Sequence, residues 1–188
     1  MEFAKVKAYE IILYEEKSAI VYEKLEGESL FDWFIKTGDI QGCATYMSKL
    51  HKQILQNKII NVPEYKEFLK SDIEDKALKM LEKLPNGNTL CHGDFHPGNI
   101  FISDGHLTVL DFMNVCKGNS LYDIARTTFL IEYTPVPVGT KDKERFLSIK
   151  KTLADLYLRE MDVTREMIEE YLLVIIAARK GECPDERL

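Results

Sequence analysis

The chain opens with two stretches in which β-branched and aromatic residues predominate. "AYEIILY" (8–14) and "AIVYEKL" (19–25) are separated by the polar "EEKS". Short runs of this composition around a polar connection predict an antiparallel β-hairpin. Gly27 then ends the strand pattern.

Helical periodicity dominates most of the remaining chain. From Ile40 onward, apolar residues recur at the spacing of one buried helix face, and Asp39 is placed to cap that helix. Ser71 and Glu74 form a capping-box pattern ahead of a second amphipathic helix, which "PNGN" (85–88) ends. Residues 119–133, 142–161 and 163–179 read as three further helices. Strand pairs combined with one-sided helices predict an α+β domain.

A second hairpin is predicted in the middle of the chain. "NIFI" and "LTVL" flank "SDGH", in which Asp104-Gly105 is a strong signal for a tight primed turn. In that register Asn99 lies opposite Leu110, one position from Asp111. Facing residues are about 5 Å apart, so an amide and a carboxylate oxygen can share a hard cation such as Mg²⁺. Asp94 arrives at the same end on a loop that contains Pro97-Gly98.

Composition narrows the class of protein. The 188 residues are 45% hydrophobic, enough for one well-packed domain, and the net charge of −6 argues against nucleic-acid binding. Four widely spaced cysteines form no CxxC pair, which favours reduced thiols over disulfides or a zinc ribbon. The chain shows neither a signal core nor an apolar run of membrane-spanning length, so we expect a cytoplasmic protein with no membrane partner.

The run "HGDFHPGN" followed by "VLDF" has the spacing of a protein-kinase catalytic loop and its metal-binding aspartate. His-Gly-Asp at its start is similar to the aminoglycoside phosphotransferase and choline kinase family of small-molecule kinases. The resemblance implies a protein-kinase-like fold that uses ATP and Mg²⁺ to phosphorylate a hydroxyl of a small molecule. It makes Asp94 the catalytic base, with Asn99 and Asp111 as the metal ligands.

The same resemblance implies further roles. His96 would contact the transferred phosphate, and His92 would brace the catalytic loop. In "SLYDIAR", Asp123 would hold that loop by hydrogen bonds. "IVYEKLEGESL" is similar to the hinge between the two lobes of such kinases, where backbone groups near Glu23 and Leu25 would receive adenine.

The resemblance divides the chain into three parts. Residues 1–22 would be the end of the N-terminal, ATP-covering lobe, residues 23–27 the hinge, and residues 28–188 a mainly helical C-terminal lobe with a catalytic hairpin. Nothing before residue 10 supplies a Gly-rich loop, a strand lysine or its helix glutamate partner. We therefore expect an N-terminally incomplete small lobe, with an exposed hairpin edge through which copies of the chain could associate.

Several other interpretations stay open on sequence alone. A degenerate kinase fold could serve as a non-catalytic binding module, and "HGDFH" on a regular strand would suit a metal-dependent hydrolase. His51 is interpreted as a core-edge histidine satisfied by hydrogen bonds. The acidic run "REMDVTREMIEE" (159–170) fits either a solvated helix face or a pocket for a cationic acceptor.

Overall fold

The computed structural model describes residues 4–70, 73–136 and 139–182. In chain order the elements are β1 (Ala8–Tyr14), β2 (Lys17–Tyr22), β3 (Glu28–Ser29), α1 (Leu30–Thr37), α2 (Ile40–Leu55), α3 (Tyr65–Leu69), α4 (Asp75–Lys83), β4 (Thr89–Cys91), a 3₁₀ turn (Pro97–Asn99), β5 (Ile100–Ser103), β6 (His106–Val109), β7 (Cys116–Gly118), α5 (Ser120–Glu132), α6 (Lys143–Met161) and α7 (Arg165–Glu182).

Both predicted hairpins form. β1 pairs antiparallel with β2 around a tight turn in which Glu15 and Glu16 adopt positive φ. β5 pairs with β6 in the predicted register, with Ser103 opposite His106. The Leu110 N–H donates to the Asn99 carbonyl at 2.9 Å, so the pairing continues to Asn99 and Leu110 as predicted.

The β5–β6 hairpin belongs to a three-stranded sheet in the order β3-β5-β6, with β5 as the central strand. Residues 4–6 run alongside β6, where the Val109 N–H donates to the Ala4 carbonyl at 3.0 Å. The segment that precedes the first hairpin therefore covers the outer edge of the second one.

The predicted helices are present with small differences at their ends. Asp39 caps α2 by accepting the Gly42 N–H at 2.8 Å, and the predicted apolar face is buried. Glu74 occupies the N-cap position of α4. Ser71, its proposed capping partner, lies outside the described residues.

Three features were not anticipated from the sequence. α1 is capped by Ser29, whose hydroxyl accepts the Asp32 N–H at 3.0 Å, and it buries Leu30 and Phe34. α3 is a helix of five residues. The three-residue strands β4 and β7 pair with each other, with Cys91 opposite Cys116, and so bracket the catalytic loop and the second hairpin.

The core lies among the long helices. α2 packs against α6, and α5 packs against both α6 and α7. The largest fully buried side chains include Tyr65, Phe95, Phe129 and Tyr157. In contrast, the first hairpin carries apolar side chains on its surface, with Ile11 and Leu13 more than 70% exposed. None of the helices in the described ranges has the length and apolarity needed to cross a membrane.

Candidate active site

The loop between β4 and the 3₁₀ turn carries the predicted catalytic residues. Gly93 has a φ of +77°, and a Cβ atom there would lie 2.2 Å from the carbonyl oxygen of Asn114. An L side chain would be strained by the backbone angle and would also collide with neighbouring backbone. Glycine therefore lets the loop turn tightly against the segment that follows Asp111.

Asp123, at the start of α5, holds this loop by hydrogen bonds. Its carboxylate accepts the His92 N–H at 2.6 Å and the Gly93 N–H at 2.9 Å. The side chain is fully buried. Burial alone would raise the pKa of Asp123, but the hydrogen bonds from His51 and Gly93 and the nearby imidazoles together lower it. The carboxylate is thus held ionised as an acceptor for the loop.

His51 completes the support of Asp123 from the opposite side. Its Nε2 lies 3.0 Å from Asp123 Oδ2, and its Nδ1 lies 2.6 Å from the hydroxyl of Tyr157. The ring is fully buried and stacks on Phe95 with centroids 4.3 Å apart. The hydrogen-bonded histidine predicted here is confirmed, but it lies in the core rather than at its edge.

His92 connects the two halves of the site. Its Nδ1 accepts the Asp94 N–H at 3.2 Å, and its Nε2 donates to the Leu110 carbonyl at 2.9 Å. Burial lowers the pKa of His92, so the ring is neutral and this pair of bonds fixes its tautomer. One buried ring therefore links the residue before Asp111 to Asp94 itself.

Asp94 is a half-buried residue of this loop. The Asn99 amide nitrogen donates to the Asp94 carbonyl at 2.9 Å and to Asp94 Oδ2 at 3.1 Å. The pKa of Asp94 is lowered, mainly by the neighbouring imidazole of His96. Arg126 and Asn99 lower it further, and together these effects outweigh the partial burial. Asp94 is consequently ionised at neutral pH.

His96 lies against the exposed side of Asp94. Its Nε2 is 3.7 Å from Asp94 Oδ2, while its Nδ1 accepts the Gly98 N–H at 3.1 Å and so caps the 3₁₀ turn. This bond leaves the proton on Nε2, on the side that faces Asp94. His96 is thereby oriented as a hydrogen-bond donor next to the carboxylate.

Asp111 lies beyond the end of β6 with a φ of +55°. Its Oδ1 accepts the Met113 N–H at 3.3 Å. Asp111 and Met113 line a cavity of about 470 Å³ together with the predicted hinge residues Glu23 and Leu25. The structure thus brings the predicted adenine-binding residues and one of the two predicted metal ligands, Asp111, to the same cavity.

The backbone of the hinge segment is partly occupied. The Glu23 N–H donates to the Lys7 carbonyl at 2.9 Å, and the Glu23 carboxylate accepts the Lys7 N–H at 2.7 Å. Within the described part of the chain, the Glu23 carbonyl and the Leu25 N–H make no hydrogen bond. One acceptor and one donor therefore remain available to a ligand in this cavity.

The donor set at the open end of the hairpin suits a hard cation. Because the Asn99 amide nitrogen is bound to Asp94, its side-chain oxygen is the atom left for a metal. Asp111 contributes carboxylate oxygens across the hairpin. Amide and carboxylate oxygens with room for water are what Mg²⁺ requires.

The alternative of a dinuclear metal hydrolase does not fit this geometry. His92 is not available as a metal ligand, since its two ring nitrogens are both taken by backbone groups. Across residues 4–70, 73–136 and 139–182, no group of three or more His, Cys, Asp or Glu side chains is arranged to hold a metal ion. The loop also bends into a 3₁₀ turn at Pro97 instead of continuing as a strand.

Two contributors to the site were missed from the sequence. Arg126 Nε donates to the Gly93 carbonyl at 3.3 Å, and the Arg126 charge helps to lower the pKa of Asp94. Its position three residues after Asp123, on the same helix face, was a usable signal. Tyr157 reaches the site only through His51, from a helix more than 100 residues away in sequence, and no local pattern marks it.

Comparison with solved structures identifies the fold. An amicoumacin kinase in complex with AMP-PNP and Ca²⁺ superposes with a TM-score of 0.62 at 19% identity, over 96% of this chain and 65% of that one. A thermostable aminoglycoside phosphotransferase bound to AMP-PNP and hygromycin B gives 0.67 at 15% identity, covering 96% and 70%. A glucosamine kinase gives 0.51 at 13% identity, covering 97% and 61%. The predicted protein-kinase-like α+β fold is confirmed.

This chain therefore spans about two thirds of the length of these kinases. No curated protein matches its sequence. The profile of the phosphotransferase enzyme family, in contrast, matches residues 53–148, which is just over half of the chain and includes the whole catalytic loop and the second hairpin. On this match the chain belongs to the phosphotransferase enzyme family.

Proposed function

We propose that this protein transfers the γ-phosphate of ATP to a hydroxyl group of a small molecule, in a Mg²⁺-dependent reaction. The observation that carries the proposal is the environment of Asp94. An ionised carboxylate stands next to a donor histidine and an asparagine whose amide oxygen is left for a metal.

Asp94 acts as the base in this proposal. Its Oδ2 is held by Asn99, which leaves Oδ1 to accept a hydrogen bond from the acceptor hydroxyl. As the acceptor oxygen forms its bond to the γ-phosphorus, the bond from that phosphorus to the β,γ-bridging oxygen breaks. The hydroxyl proton passes to Asp94, and ADP leaves with the bridging oxygen. His96 Nε2–H stabilises charge on the transferred phosphoryl group.

Asn99 and Asp111 hold Mg²⁺ in this proposal. A bound Mg²⁺ supplies charge neutralisation of the ATP phosphates. The protein's own contribution is to fix the spacing of these two ligands, and His92 does so through its bonds to the Asp94 amide and the Leu110 carbonyl. The Glu23 carbonyl and the Leu25 N–H receive the adenine edge in the cavity that Asp111 also lines.

The division of the chain follows from these roles. We assign residues 1–22 to the ATP-covering lobe, residues 23–27 to the hinge, and residues 28–188 to the catalytic lobe. In this division Asp123 belongs to the catalytic lobe. It supports the catalytic loop through its hydrogen bonds with His92 and Gly93.

The proposal is tested by incubating the purified protein with Mg·ATP and a panel of hydroxylated small molecules, then analysing the products by mass spectrometry. We expect one class of acceptor to gain the mass of a phosphoryl group, and the gain to disappear when EDTA removes Mg²⁺. ATP consumption without a phosphorylated acceptor would indicate hydrolysis and contradict the proposal, as would transfer that persists in EDTA.

A further inference from the structure

A second cavity, of about 360 Å³, opens beside His96 and is lined by other residues than the cavity at Glu23 and Asp111. Its walls come from three parts of the fold: α1, the end of α5 and the first half of α6. The side chains that form most of them are Phe31, Phe34, Leu130, Phe146 and Ile149. A volume of this size is in the range of small-molecule sites.

The position of the cavity relates it to phosphate transfer. His96, Pro97 and Gly98 form one side of it, and His96 Nε2 lies 3.7 Å from Asp94. His96 thus belongs to both the cavity and the Asp94 site, so a molecule seated between the aromatic walls lies next to the residue that contacts Asp94. The 3₁₀ turn that His96 caps fixes this side of the opening.

The charge of the lining is unusual for a site that would bind an amine. Among the described residues, Lys150 is the lining residue that carries a full charge, and no Asp or Glu side chain lines the cavity. The acidic side chains of residues 159–170 lie elsewhere, and Glu166, Glu169 and Glu170 are exposed on α7. That cluster is a solvated helix face and not a pocket for a cation.

Lys150 is positioned as a donor. It is 8% exposed, and its ammonium donates to the Thr134 carbonyl and, at 3.3 Å, to the Thr134 hydroxyl. An ammonium has three N–H donors, so one remains for a ligand. Burial lowers the pKa of Lys150, although Glu132 opposes that shift. Glu132 is itself bound to Arg165 at 2.8 Å and does not line the cavity.

We infer that the acceptor is a hydroxyl-bearing molecule with an apolar or aromatic body that is neutral or anionic, selected by the aromatic walls and by hydrogen bonding to Lys150. This inference rests on the proposed function, because the cavity is assigned to the acceptor through its contact with the Asp94 site. A polyamine acceptor such as an aminoglycoside is disfavoured. Its ammonium groups would lose water against apolar walls and face the like charge of Lys150.

Three matched probes test the charge preference directly. They are naphthylethanols that carry a methyl, a carboxylate or an aminomethyl group on the ring distant from the hydroxyl arm. We expect the carboxylate and methyl probes to bind, and the aminomethyl probe to bind at least about tenfold more weakly than the carboxylate, as measured by NMR titration without nucleotide. Binding should shift the ring signals of His96 but not those of His106 in the hairpin turn.

Lys150→Met, with Lys151→Met as the matched control, tests the selecting residue. Lys151 is the exposed neighbour of Lys150 on the same helix. In Lys150→Met the carboxylate probe should lose about tenfold in affinity while the methyl probe is retained, which also shows that the variant is folded. Lys151→Met should bind all three probes as the wild type does.

The inference is overturned if none of the probes binds, if the aminomethyl probe binds as tightly as the carboxylate, or if Lys150→Met keeps the wild-type order. These measurements need no turnover. Failure of the proposed function would instead appear as an absence of Mg·ATP-dependent transfer, whatever the probe affinities.

Discussion

Single residues in this site act through fixed protonation states. His92 is the clearest example, because its ring nitrogens accept one backbone N–H and donate to one backbone carbonyl. That arrangement requires the neutral ring. Protonation would place a second donor opposite the Asp94 N–H, and the fold consequently becomes sensitive to acid through this residue.

The lowered pKa of His92 predicts a pH-dependent stability. In the unfolded chain the residue titrates near its ordinary value of 6.5, and in the folded protein it titrates lower. Stability from this residue is therefore complete above pH 6.5 and is lost as the pH falls toward the folded value, with a slope of up to about 1.4 kcal/mol per pH unit. Urea denaturation at a series of pH values between 7.5 and 5 measures this dependence of the free energy of unfolding on pH.

Comparison of variants isolates the effect of His92 from that of other groups. His92→Gln should be less stable at pH 7.5 but should show a flatter dependence of unfolding free energy on pH. His106→Gln, at the exposed turn of the second hairpin, should keep the wild-type slope. An unchanged slope in His92→Gln would show that this ring is not the titrating group.

Among single residues, motif spacing indicated Asp94, Asn99 and Asp111, and the family resemblance added His92, His96 and Asp123. Hydrogen bonds connect the backbone or side chains of His92, Asp94, Asn99 and Asp123, and His92 also binds Leu110, the neighbour of Asp111. The roles of these residues stay predictions. The motif could not reveal Tyr157 or Lys150, because their importance depends on where separate helices place them. Long-range packing of this kind leaves no periodic trace in a sequence.

At the scale of elements, the catalytic loop contains a glycine whose backbone angle and close neighbours both disfavour a side chain. Gly93 and Gly105 have nearly identical φ angles, +77° and +78°. A Cβ atom at Gly93 would lie 2.2 Å from the Asn114 carbonyl oxygen, whereas nothing lies within 4 Å of a Cβ atom at Gly105. Substitutions at these two positions therefore distinguish the effect of backbone strain from that of steric collision.

The alanine variants of these glycines should differ accordingly. Gly105→Ala should lower the free energy of unfolding by about 1 kcal/mol, because it adds strain alone. Gly93→Ala should lower it by about 2 kcal/mol more, because the loop must also move away from Asn114. Equilibrium denaturation measures both. Equal losses would show that the loop relaxes freely, against the packing seen here.

The elements also show what sequence patterns can predict. The Asp104-Gly105 turn fixed the register of the second hairpin, and helical periodicity identified α2, α5, α6 and α7. α1 was missed because it has only eight residues, so "LFDWFIKT" repeats the helical period too few times to stand out. The β4–β7 pair was missed because each strand has three residues and its partner lies about 25 residues away.

At the scale of the whole molecule, one buried network connects the helical core to the catalytic loop. Tyr157 on α6 binds His51 on α2, His51 binds Asp123 on α5, and Asp123 binds the loop backbone. Three helices that form the core therefore converge on the loop that carries Asp94. We therefore expect the packing of these helices and the positioning of Asp94 to be coupled.

Asp123→Asn should show that coupling. The amide places N–H donors where the carboxylate accepted bonds from buried donors, so we expect a loss of about 3 kcal/mol in the free energy of unfolding. Asp155→Asn is the matched control, because Asp155 pairs with Arg165 at the surface and its loss should cost less than about 1 kcal/mol. Similar losses for both variants would argue against a network through Asp123.

The central claim is that Asp94 is the base in phosphate transfer from ATP to an acceptor hydroxyl. The most direct measurement is transfer of labelled γ-phosphate to the best acceptor of the panel by the wild type, Asp94→Asn and Asp104→Asn, an exposed turn residue used as control. We predict that Asp94→Asn lowers kcat by about 10²-fold or more while nucleotide affinity and Tm are kept, and that Asp104→Asn matches the wild type. Turnover by Asp94→Asn at the wild-type rate would contradict the account.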